Sequence, residues 1–290
     1  MEDEELYRDV RPMLFAIAYR MVASAGDAED IVQEAFVRFD RARRSGTVID
    51  VPRAYLVSTT TRLAIDHLRS ARVRRESYVG PWLPEPLLTQ PGPEAVAETA
   101  DSLSTAFLLL LETLSPVERA VFLLRDVFGY EYREIAEIVG RTEANCRQIL
   151  VRARRHVQAG RQRFTASREE RDTLVRTFVA AYERGDVEEL VRLLAEDVAF
   201  YSDGGGKVSA VPRPVFGRDR VARLLVGLLD RVRKSDLRVR PAQVNGEAGA
   251  LLVNGEGKVV NVVSFEVRDG TVASIWSVAN PDKLDHLSAP

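Results

Sequence analysis

Apolar positions recur at helical spacing through the first quarter of the chain. Two stripes come first: Leu14, Ile17, Ala18 and Met21, then Ile31, Ala35 and Phe39. Side chains three and four residues apart share one face of a helix. Pro52 is a favourable first helical residue and begins a third such stretch. We therefore predict that residues from about 4 to 76 are all helical.

The starts of two helices can be assigned from capping residues. Asp27 follows Ala25-Gly26 and lies where an N-cap belongs, with Asp30 three positions later. Further along, Leu114-Ser115-Pro116 predicts the start of a helix that leads into a second helical unit, which begins at about Asp101.

Two short helices joined by a tight turn are predicted between Tyr130 and Val157. Gly140 supplies the left-handed residue that ends the first helix, and Thr142 can cap the second. Inward-facing positions of the second helix are apolar or small: Cys146, Ile149, Leu150 and Ala153. Its outward face carries polar side chains: Glu143, Asn145, Arg147, Gln148, Arg152 and Arg155.

Arg, Asn and Gln side chains match the donor and acceptor pattern of base edges in a major groove. The pattern therefore favours a helix-turn-helix whose second helix reads DNA. The alternative is an ordinary surface helix with a charged face.

The last part of the chain changes from helical to strand-like pattern. Two amphipathic helices are predicted first, through Leu174, Val175, Phe178, Val179 and Tyr182, then Val187, Leu190, Val191 and Leu194. The segment after them contains Asn254-Gly255 and Asp269-Gly270, which are strong hairpin turns. We predict an α+β domain with a curved antiparallel sheet.

A proline-rich linker separates the first two helical units. Its prolines, at positions 81, 84, 86, 91 and 93, exclude a continuous helix or a central strand. Trp82, Leu83, Leu87 and Leu88 are unusually apolar for a solvated linker. We expect this segment to dock on a protein surface.

Composition excludes several classes of protein. A chain of 290 residues with a formal net charge of −2 is expected to form two or three compact units. It has no apolar run long enough to span a membrane and no signal peptide, so we expect a cytoplasmic protein. Cys146 is the single cysteine, and the three histidines form no ligand pair. We predict no metal and no cofactor.

The distribution of charge is more informative than its sum. Seven arginines against one acid lie between Arg141 and Arg163, and five against Asp66 alone lie between Arg62 and Arg75. Acids collect elsewhere, at Asp27, Glu29, Asp30 and Glu34. This distribution predicts two contacts with DNA and a separate acidic contact with another partner.

The first 160 or so residues resemble sigma factors of the extracytoplasmic-function group. The resemblance rests on four segments: 27–36, 52–76, 114–140 and 147–155. It implies an alternative sigma factor that binds core RNA polymerase, directs it to promoter DNA and initiates transcription. The implied units are sigma domain 2 at 1–76, the linker at 77–100 and sigma domain 4 at 101–164.

The resemblance also assigns roles to residues. Polymerase would be bound by Asp30, Gln33 and Glu34. The minus-10 element would be bound by Arg53, Tyr55, Thr59, Arg62, Arg69, Arg72 and Arg75. The minus-35 element would be bound by Arg141, Asn145, Arg147, Gln148, Arg152, Arg154 and Arg155, of which Arg154 and Arg155 would hold phosphates.

Residues 168–290 resemble a SnoaL-like domain of the nuclear-transport-factor-two superfold. The marks are WLPEP at 82–86, DGGGK at 203–207 and NPDKL at 280–284. The resemblance implies regulation of the sigma domains in cis, through residues of these three segments: Trp82, Leu83, Pro84, Glu85, Pro86, Asp203, Gly204, Gly205, Gly206, Lys207, Asn280, Pro281, Asp282, Lys283 and Leu284. We expect Trp82 and Pro84 to pack near the loop from Asp203 to Lys207.

Three alternatives remain open at this stage. The superfold also hosts enzymes, for which Tyr182, Tyr201 or Asp203 could act as acid or base, although we assign no catalytic residue. The domain could instead hold a small-molecule ligand and act as a sensor. The whole chain could also be a repressor or activator that binds its own operator without polymerase.

Overall fold

The computed structural model describes residues 2–75, 78–89, 102–160 and 167–287. The chain divides into two compact units. One is formed by residues 1–76 and 108–161, and the other by residues 77–107 and 162–290. No helix within the described ranges has the length and apolar content that crossing a membrane requires.

Helices make up the first unit. In chain order the helices before residue 161 are α1 Glu2–Val22, α2 Ala25–Arg44, α3 Pro52–Arg75, α4 Thr105–Leu111, α5 Pro116–Phe122, α6 Tyr132–Val139 and α7 Glu143–Gly160. One π-helical turn, Leu123–Val127, continues α5. The predicted helical start at Pro52 is confirmed.

The start of α2 corrects the sequence prediction. Ser24, not Asp27, is the N-cap, and its hydroxyl accepts the Asp27 N–H at 3.1 Å. Ala23 adopts a left-handed conformation with φ of 56°, which turns the chain before Ser24. Asp27 therefore lies in the first turn, where a carboxylate favours the helix dipole, and its Oδ2 is 3.3 Å from His67 Nε2.

The predicted turn between α6 and α7 is confirmed. Gly140 ends α6 with φ of 65° and ψ of 47°, and Thr142 accepts the Asn145 N–H at 3.2 Å. Ser115 and Glu118 form a capping box at the start of α5, with Pro116 in the first turn. Cys146 is fully buried, and burial raises the pKa of its thiol. It is therefore a packing residue of α7.

Three helices and a seven-stranded sheet build most of the second unit. The helices are α8 Arg168–Arg184, α9 Val187–Leu193 and α10 Arg218–Arg233. The strands are β1 Leu88–Thr89, β2 Leu194–Asp203, β3 Val215–Phe216, β4 Arg238–Val244, β5 Glu247–Val253, β6 Val259–Arg268 and β7 Thr271–Val278. They lie in the order β1-β4-β5-β6-β7-β2-β3.

The expectation of an antiparallel sheet is wrong for one pair, because β2 runs parallel to β7. A hairpin turn can join only antiparallel strands, whereas a parallel pair needs a long connection. Here the chain leaves β2, forms β3 and α10, and returns through β4, β5 and β6 before it reaches β7. The turn motifs in the sequence could not reveal that pairing.

The hairpins themselves were predicted well. Asp269 and Gly270 both have positive φ, and they join the antiparallel pair β6 and β7. Asn254 begins the turn between β5 and β6, but this turn extends to Lys258 and its residue with positive φ is Gly257, not Gly255. A third such turn, Asn245-Gly246, joins β4 to β5 and was not singled out from the sequence.

The linker forms part of the second unit. Its residues Leu88 and Thr89 pair with Gln243 and Val244 at the edge of the sheet. Asn245 holds Leu87 through both backbone and side chain, with N···O distances of 2.8 and 2.7 Å. Within the described residues 78–89, the segment is docked, as its apolar side chains predicted.

Candidate functional sites

The outward face of α7 is available to a ligand. Cys146, Ile149, Leu150 and Ala153 are buried against the helical unit. Asn145, Gln148 and Arg155 are exposed. Polar side chains that can recognise bases therefore form one continuous row on this helix.

Several arginines of the helix-turn-helix make ion pairs, hydrogen bonds or ring contacts within the helical unit. Arg147 bonds Glu143 at 2.9 Å and lies 4.7 Å from the centre of the Tyr132 ring. Arg152 lies 3.5 Å from Glu118. Arg141 bonds the Gly140 carbonyl at 3.1 Å. Exposed ion pairs contribute only about 0–1 kcal/mol, so phosphates can displace them.

Arg154 has a stronger partner than the other arginines of α7. Its guanidinium donates to both carboxylate oxygens of Asp126, at 2.9 and 2.7 Å. These hydrogen bonds raise the pKa of Arg154. The two-pronged pair ties α7 to the π turn that follows α5, so Arg154 has a packing role beside the phosphate role expected for it.

Arg62, expected at the minus-10 element, binds the first helix of the helix-turn-helix. Its Nε donates to the Ile138 carbonyl at 2.9 Å and its Nη2 to the Glu137 carbonyl at 2.7 Å. These carbonyls lie in the last turn of α6, where helical carbonyls lack partners and the helix dipole favours a cation. Arg62 thus joins α3 to α6.

The other residues predicted for the minus-10 element lie along α3. Thr59 donates to the Tyr55 carbonyl at 2.8 Å, and the half-buried Tyr55 ring packs 5.9 Å from that of Phe39. Arg53 lies 3.0 Å from the Met13 sulfur, and Arg69 pairs with Asp66 at 3.0 Å. The side chains of Arg72 and Arg75 lie outside the described residues.

A buried arginine that the sequence reasoning missed makes a second connection within the helical unit. Arg119 of α5 is 2% exposed and donates to the Met21 carbonyl at 2.5 Å and to Glu112 at 3.0 Å. Nearby, the Arg20 guanidinium lies 5.6 Å from the centre of the Phe128 ring. An arginine directly before the apolar run Ala120 to Leu124 is the signal that could have identified this contact.

The predicted polymerase contacts lie on α2. Asp30 and Gln33 are exposed, and Glu34 pairs with Arg38 at 2.8 Å. Beside them, Glu29 binds Arg11 through both oxygens, and this carboxylate raises the pKa of Arg11. The face of α2 is therefore polar, but part of its charge is neutralised within the unit.

A fully buried carboxylate organises the second unit. Asp203 Oδ1 accepts hydrogen bonds from the Tyr78 hydroxyl at 2.5 Å and the Gly205 N–H at 3.0 Å. Its Oδ2 accepts from the Leu83 N–H at 2.9 Å and from Lys283 Nζ at 2.8 Å. We call Tyr78, Leu83, Asp203, Asn280 and Lys283 the linker clasp.

Lys283 is the cationic partner in the linker clasp. It is 5% exposed and donates to the Leu83 carbonyl as well as to Asp203. Its Nζ lies 4.2 Å from the centre of the Trp82 ring and 5.1 Å from that of Tyr78. Aromatic faces and two acceptors offset the cost of removing the ammonium from water. Burial, with the hydrogen bond to Asp203, raises the pKa of Tyr78.

The DGGGK segment requires glycines because its backbone lies very close to Asn280 and to Val79. A Cβ on Gly205, whose φ is +59°, would lie 2.3 Å from the Asn280 amide nitrogen. That amide donates to the Tyr78 hydroxyl at 2.9 Å. A Cβ on Gly206 would lie 3.2 Å from Val79. The loop can therefore touch both the tail and the linker only without side chains.

Further contacts extend along the three segments. Lys207 pairs with Asp282 at 2.6 Å at the surface, and His286 Nε2 lies 3.0 Å from the Pro86 carbonyl. Gly204, Pro84, Pro86 and Leu284 are buried, while Glu85 and Pro281 are half-buried. The structure thus brings WLPEP, DGGGK and NPDKL together, with Trp82 and Pro84 in the first of them. His286, which follows the NPDKL segment, thus contacts the linker.

Two further residues hold the linker and were not predicted from the sequence. Tyr78 bonds Asp203 and Asn280, and Asn245 bonds Leu87. Tyr78 precedes the proline-rich motif, and its only signal is an aromatic residue at the linker's start. No group of three or more His, Cys, Asp or Glu side chains in the described ranges is placed to hold a metal ion.

Three family descriptions match the chain in order. Sigma-70 region 2 matches residues 6–74, Sigma-70 region 4 matches residues 104–157, and a SnoaL-like domain matches residues 175–282. The first two cover the helices that carry Arg62 and the α7 face. The third covers Asp203 and ends one residue before Lys283.

Relatives and a solved structure match nearly the whole chain. The ECF RNA polymerase sigma factor SigJ of Mycobacterium tuberculosis is 38% identical over 96% of this chain and 92% of its own. The probable ECF RNA polymerase sigma factor SigI of the same species is 32% identical over 98% and 95%. The crystal structure of SigJ superimposes with a TM-score of 0.77 at 36% identity, covering 97% of this chain and 98% of that one. The chain therefore belongs to the ECF RNA polymerase sigma factors, with a SnoaL-like domain at its C-terminal end.

Proposed function

We propose that this sigma factor is controlled in cis by its SnoaL-like domain, and that its helical unit is held here in a closed form. The factor binds core RNA polymerase, directs it to promoters and initiates transcription in the cytoplasm. Residues 1–76 act on polymerase and the minus-10 element, and residues 101–164 act on the minus-35 element. The linker, 77–100, and the domain at 168–290 regulate them.

The observation that carries the closed form is the pair of hydrogen bonds from Arg62 to the end of α6. These carbonyls occupy the Nε and Nη2 edge of the guanidinium, so a DNA phosphate cannot bind that edge in a two-pronged way while they are held. A two-pronged contact of Arg62 with an opened minus-10 strand therefore requires α6 to leave. Because Arg62 is exposed, phosphates and polymerase can replace this contact.

The buried contact of Arg119 supports the same proposal. Its guanidinium bridges the end of α1 to α5, across the two sigma regions. Separation of these regions on polymerase would expose that guanidinium and the Met21 carbonyl to water. The closed form is thus stable alone but can open when a partner offers larger contacts.

The linker clasp is the means by which we propose that the SnoaL-like domain acts. A fully extended chain over residues 77–101 could span roughly 80 Å. Docking of residues 78–89 removes about half of that reach. A docked linker therefore limits how far the two sigma regions can separate, and its release favours the open form.

An enzymatic role for Asp203 is disfavoured by its environment. Its carboxylate is 0% exposed and accepts four hydrogen bonds, so neither oxygen is presented to a substrate. Tyr201 packs edge-on against Phe216, with 6.3 Å between ring centres. We propose a regulatory domain and no catalysis.

Weakening the closed form should increase transcription. Arg119→Met keeps the apolar stem but removes both hydrogen bonds, so we expect several-fold more transcript in vitro at limiting factor with core polymerase. Phe128→Leu, which removes the ring beneath Arg20, should act in the same direction. Arg133→Met, which alters an exposed pair with Glu137 on α6, is the matched control and should change little. Equal or lower yield from folded Arg119→Met protein would contradict the closed form.

The exposed face of α7 predicts two separable effects on promoter binding. Gln148→Ala should relax base preference in the minus-35 element by about 1–3 kcal/mol at one position, because a forked base contact is lost. Arg155→Ala should weaken binding to all sequences and lower the slope of log affinity against log salt by about 1. Binding of holoenzyme to a promoter library across salt concentrations measures both. Identical behaviour of the two variants would refute the assignment.

The stability of the linker clasp can be measured without interference from the helical unit. Both tryptophans, Trp82 and Trp276, lie in the second unit, so their fluorescence reports its unfolding. Asp203→Ala leaves the Lys283 ammonium buried without its carboxylate and should lower the free energy of unfolding by about 3–5 kcal/mol. Lys207→Ala removes an exposed pair and should cost less than about 1 kcal/mol. Similar losses would show that the buried pair is not the organising contact.

A further inference from the structure

A large cavity lies inside the SnoaL-like domain, between one face of the sheet and the helices α8 and α10. Its volume is about 770 Å³, which is within the range of small-molecule sites. Alternate residues of the strands line it, because successive strand side chains point to opposite faces. The polar ones among them are Ser202 on β2, Asn261 on β6 and Ser277 on β7.

The walls of the cavity are apolar and aromatic. Phe178, Phe200 and Phe265 line it together with aliphatic side chains of β4 to β7. Leu224 and Leu228 of α10 are only partly buried, which is the state of side chains that border an accessible space. The cavity can therefore remove a large apolar surface of an occupant from water.

The polar groups are concentrated on adjacent strands. Asn261 Nδ2 and Ser277 Oγ are 2.9 Å apart, and the same hydroxyl lies 3.1 Å from Asn261 Oδ1. A side-chain amide has two N–H donors and an oxygen with two lone pairs, so this pair leaves capacity for a ligand. Neutral donor and acceptor groups recognise a carbonyl or hydroxyl without the cost of burying a charge.

The lining lacks the groups that acid–base chemistry requires. No Asp, Glu or His is among the described residues that line the cavity. Tyr182 lines it, but burial raises the pKa of this phenol to about 12, so it is a proton donor in hydrogen bonds and not a base. Arg223 and Arg231 also border it from α10, and both are exposed.

From this lining we infer that the cavity is a binding site for a neutral, largely apolar molecule that carries a carbonyl or hydroxyl group. The carbonyl or hydroxyl of the ligand binds Asn261 and Ser277, and its apolar part fills the space between the sheet and the helices α8 and α10. The molecule is bound and not converted. This inference goes beyond the proposed function, since it holds for the domain whether or not polymerase is present.

At two points, a residue that lines the cavity is adjacent in sequence to a residue of the linker clasp. Ser202, which faces the cavity, precedes Asp203, and Ala279, which borders it, precedes Asn280. On the DGGGK loop, a Cβ at Gly204 would lie 2.7 Å from the Ala210 Cβ, and Ala210 borders the cavity as well. An occupant that shifts the ends of β2 and β7 therefore shifts the groups that hold the linker.

The binding test uses the full chain and three probes with similar chain length and different charge. They are 2-undecanone, decanoate and decyltrimethylammonium, each measured by displacement of the neutral dye N-phenyl-1-naphthylamine. We expect the ketone to bind at least tenfold more tightly than either ion. Failure of all three probes to bind would overturn the inference. If decanoate binds more tightly than the ketone, the ligand is not neutral, and Arg223 and Arg231 recognise its carboxylate.

Gly227 of α10 offers a matched pair of variants. It borders the cavity on the same helical stripe as Leu224, Leu228 and Arg231, and an added Cβ there would meet nothing within 4 Å. Gly227→Trp should fill the space and weaken the ketone at least tenfold, whereas Gly227→Ala should leave binding unchanged. Asn261→Leu, which keeps the volume but removes the amide, should weaken it at least fivefold. Undiminished binding to folded Gly227→Trp protein would place the ketone elsewhere and refute the site.

Coupling to the linker is measured on the same samples. Hydrogen–deuterium exchange of backbone amides in residues 78–89 should change at least twofold when 2-undecanone is bound. Binding without any change in this segment would refute the coupling and leave the binding site itself supported. Neither experiment contains polymerase or DNA, so failure here is distinct from failure of the proposed transcriptional role.

Discussion

The carboxylate of Asp203 imposes the strongest constraint on this structure. A fully buried carboxylate is tolerated only when its oxygens have partners, and here each oxygen has two. The partners come from the linker, the glycine loop and the C-terminal tail, which are far apart in the sequence. These segments must therefore dock together for the charge to be satisfied. Removing one of them leaves the others with an unpaired group.

In the helical unit the charged groups are cations, and they likewise need partners within the protein. Arg119 is buried and Arg62 is not, yet both place a guanidinium on backbone carbonyls at a helix end. Helix ends offer carbonyls that have no partner within the helix. One group predicted to bind DNA, the Arg62 guanidinium, is consequently engaged within the helical unit. In the closed form that we propose, no separate inhibitor is needed to keep Arg62 from DNA.

Local structure was predictable where a residue type is required by backbone geometry. Gly140 and Asp269-Gly270 adopt the left-handed conformations that their turns need, and Pro52 and Ser115-Pro116 begin helices. The parallel pairing of β2 with β7 was not predictable, because it depends on a connection through several elements. The cap at Ser24 was not predictable, because the left-handed conformation of Ala23 leaves no pattern in the sequence.

The candidate sites divide in the same way. The three short motifs that meet at the linker clasp were identified in advance, but the roles of Tyr78 and Arg119 were not, since a long-range partner has no local signature. The buried pairing of Asp203 with Lys283 also depends on the tail returning to the loop. The spacing of residues along the chain shows which face of a helix or strand a side chain lies on. Only the fold shows which residues that face contacts.

Transcription in vitro by core polymerase with the full-length factor, compared between the native protein and Asp203→Ala, tests the central claim most directly. Hydrogen exchange of residues 78–89 on the same samples verifies that the linker has been released. The account predicts faster exchange in the linker together with several-fold more transcript from the variant. A released linker with equal or lower transcript would contradict it.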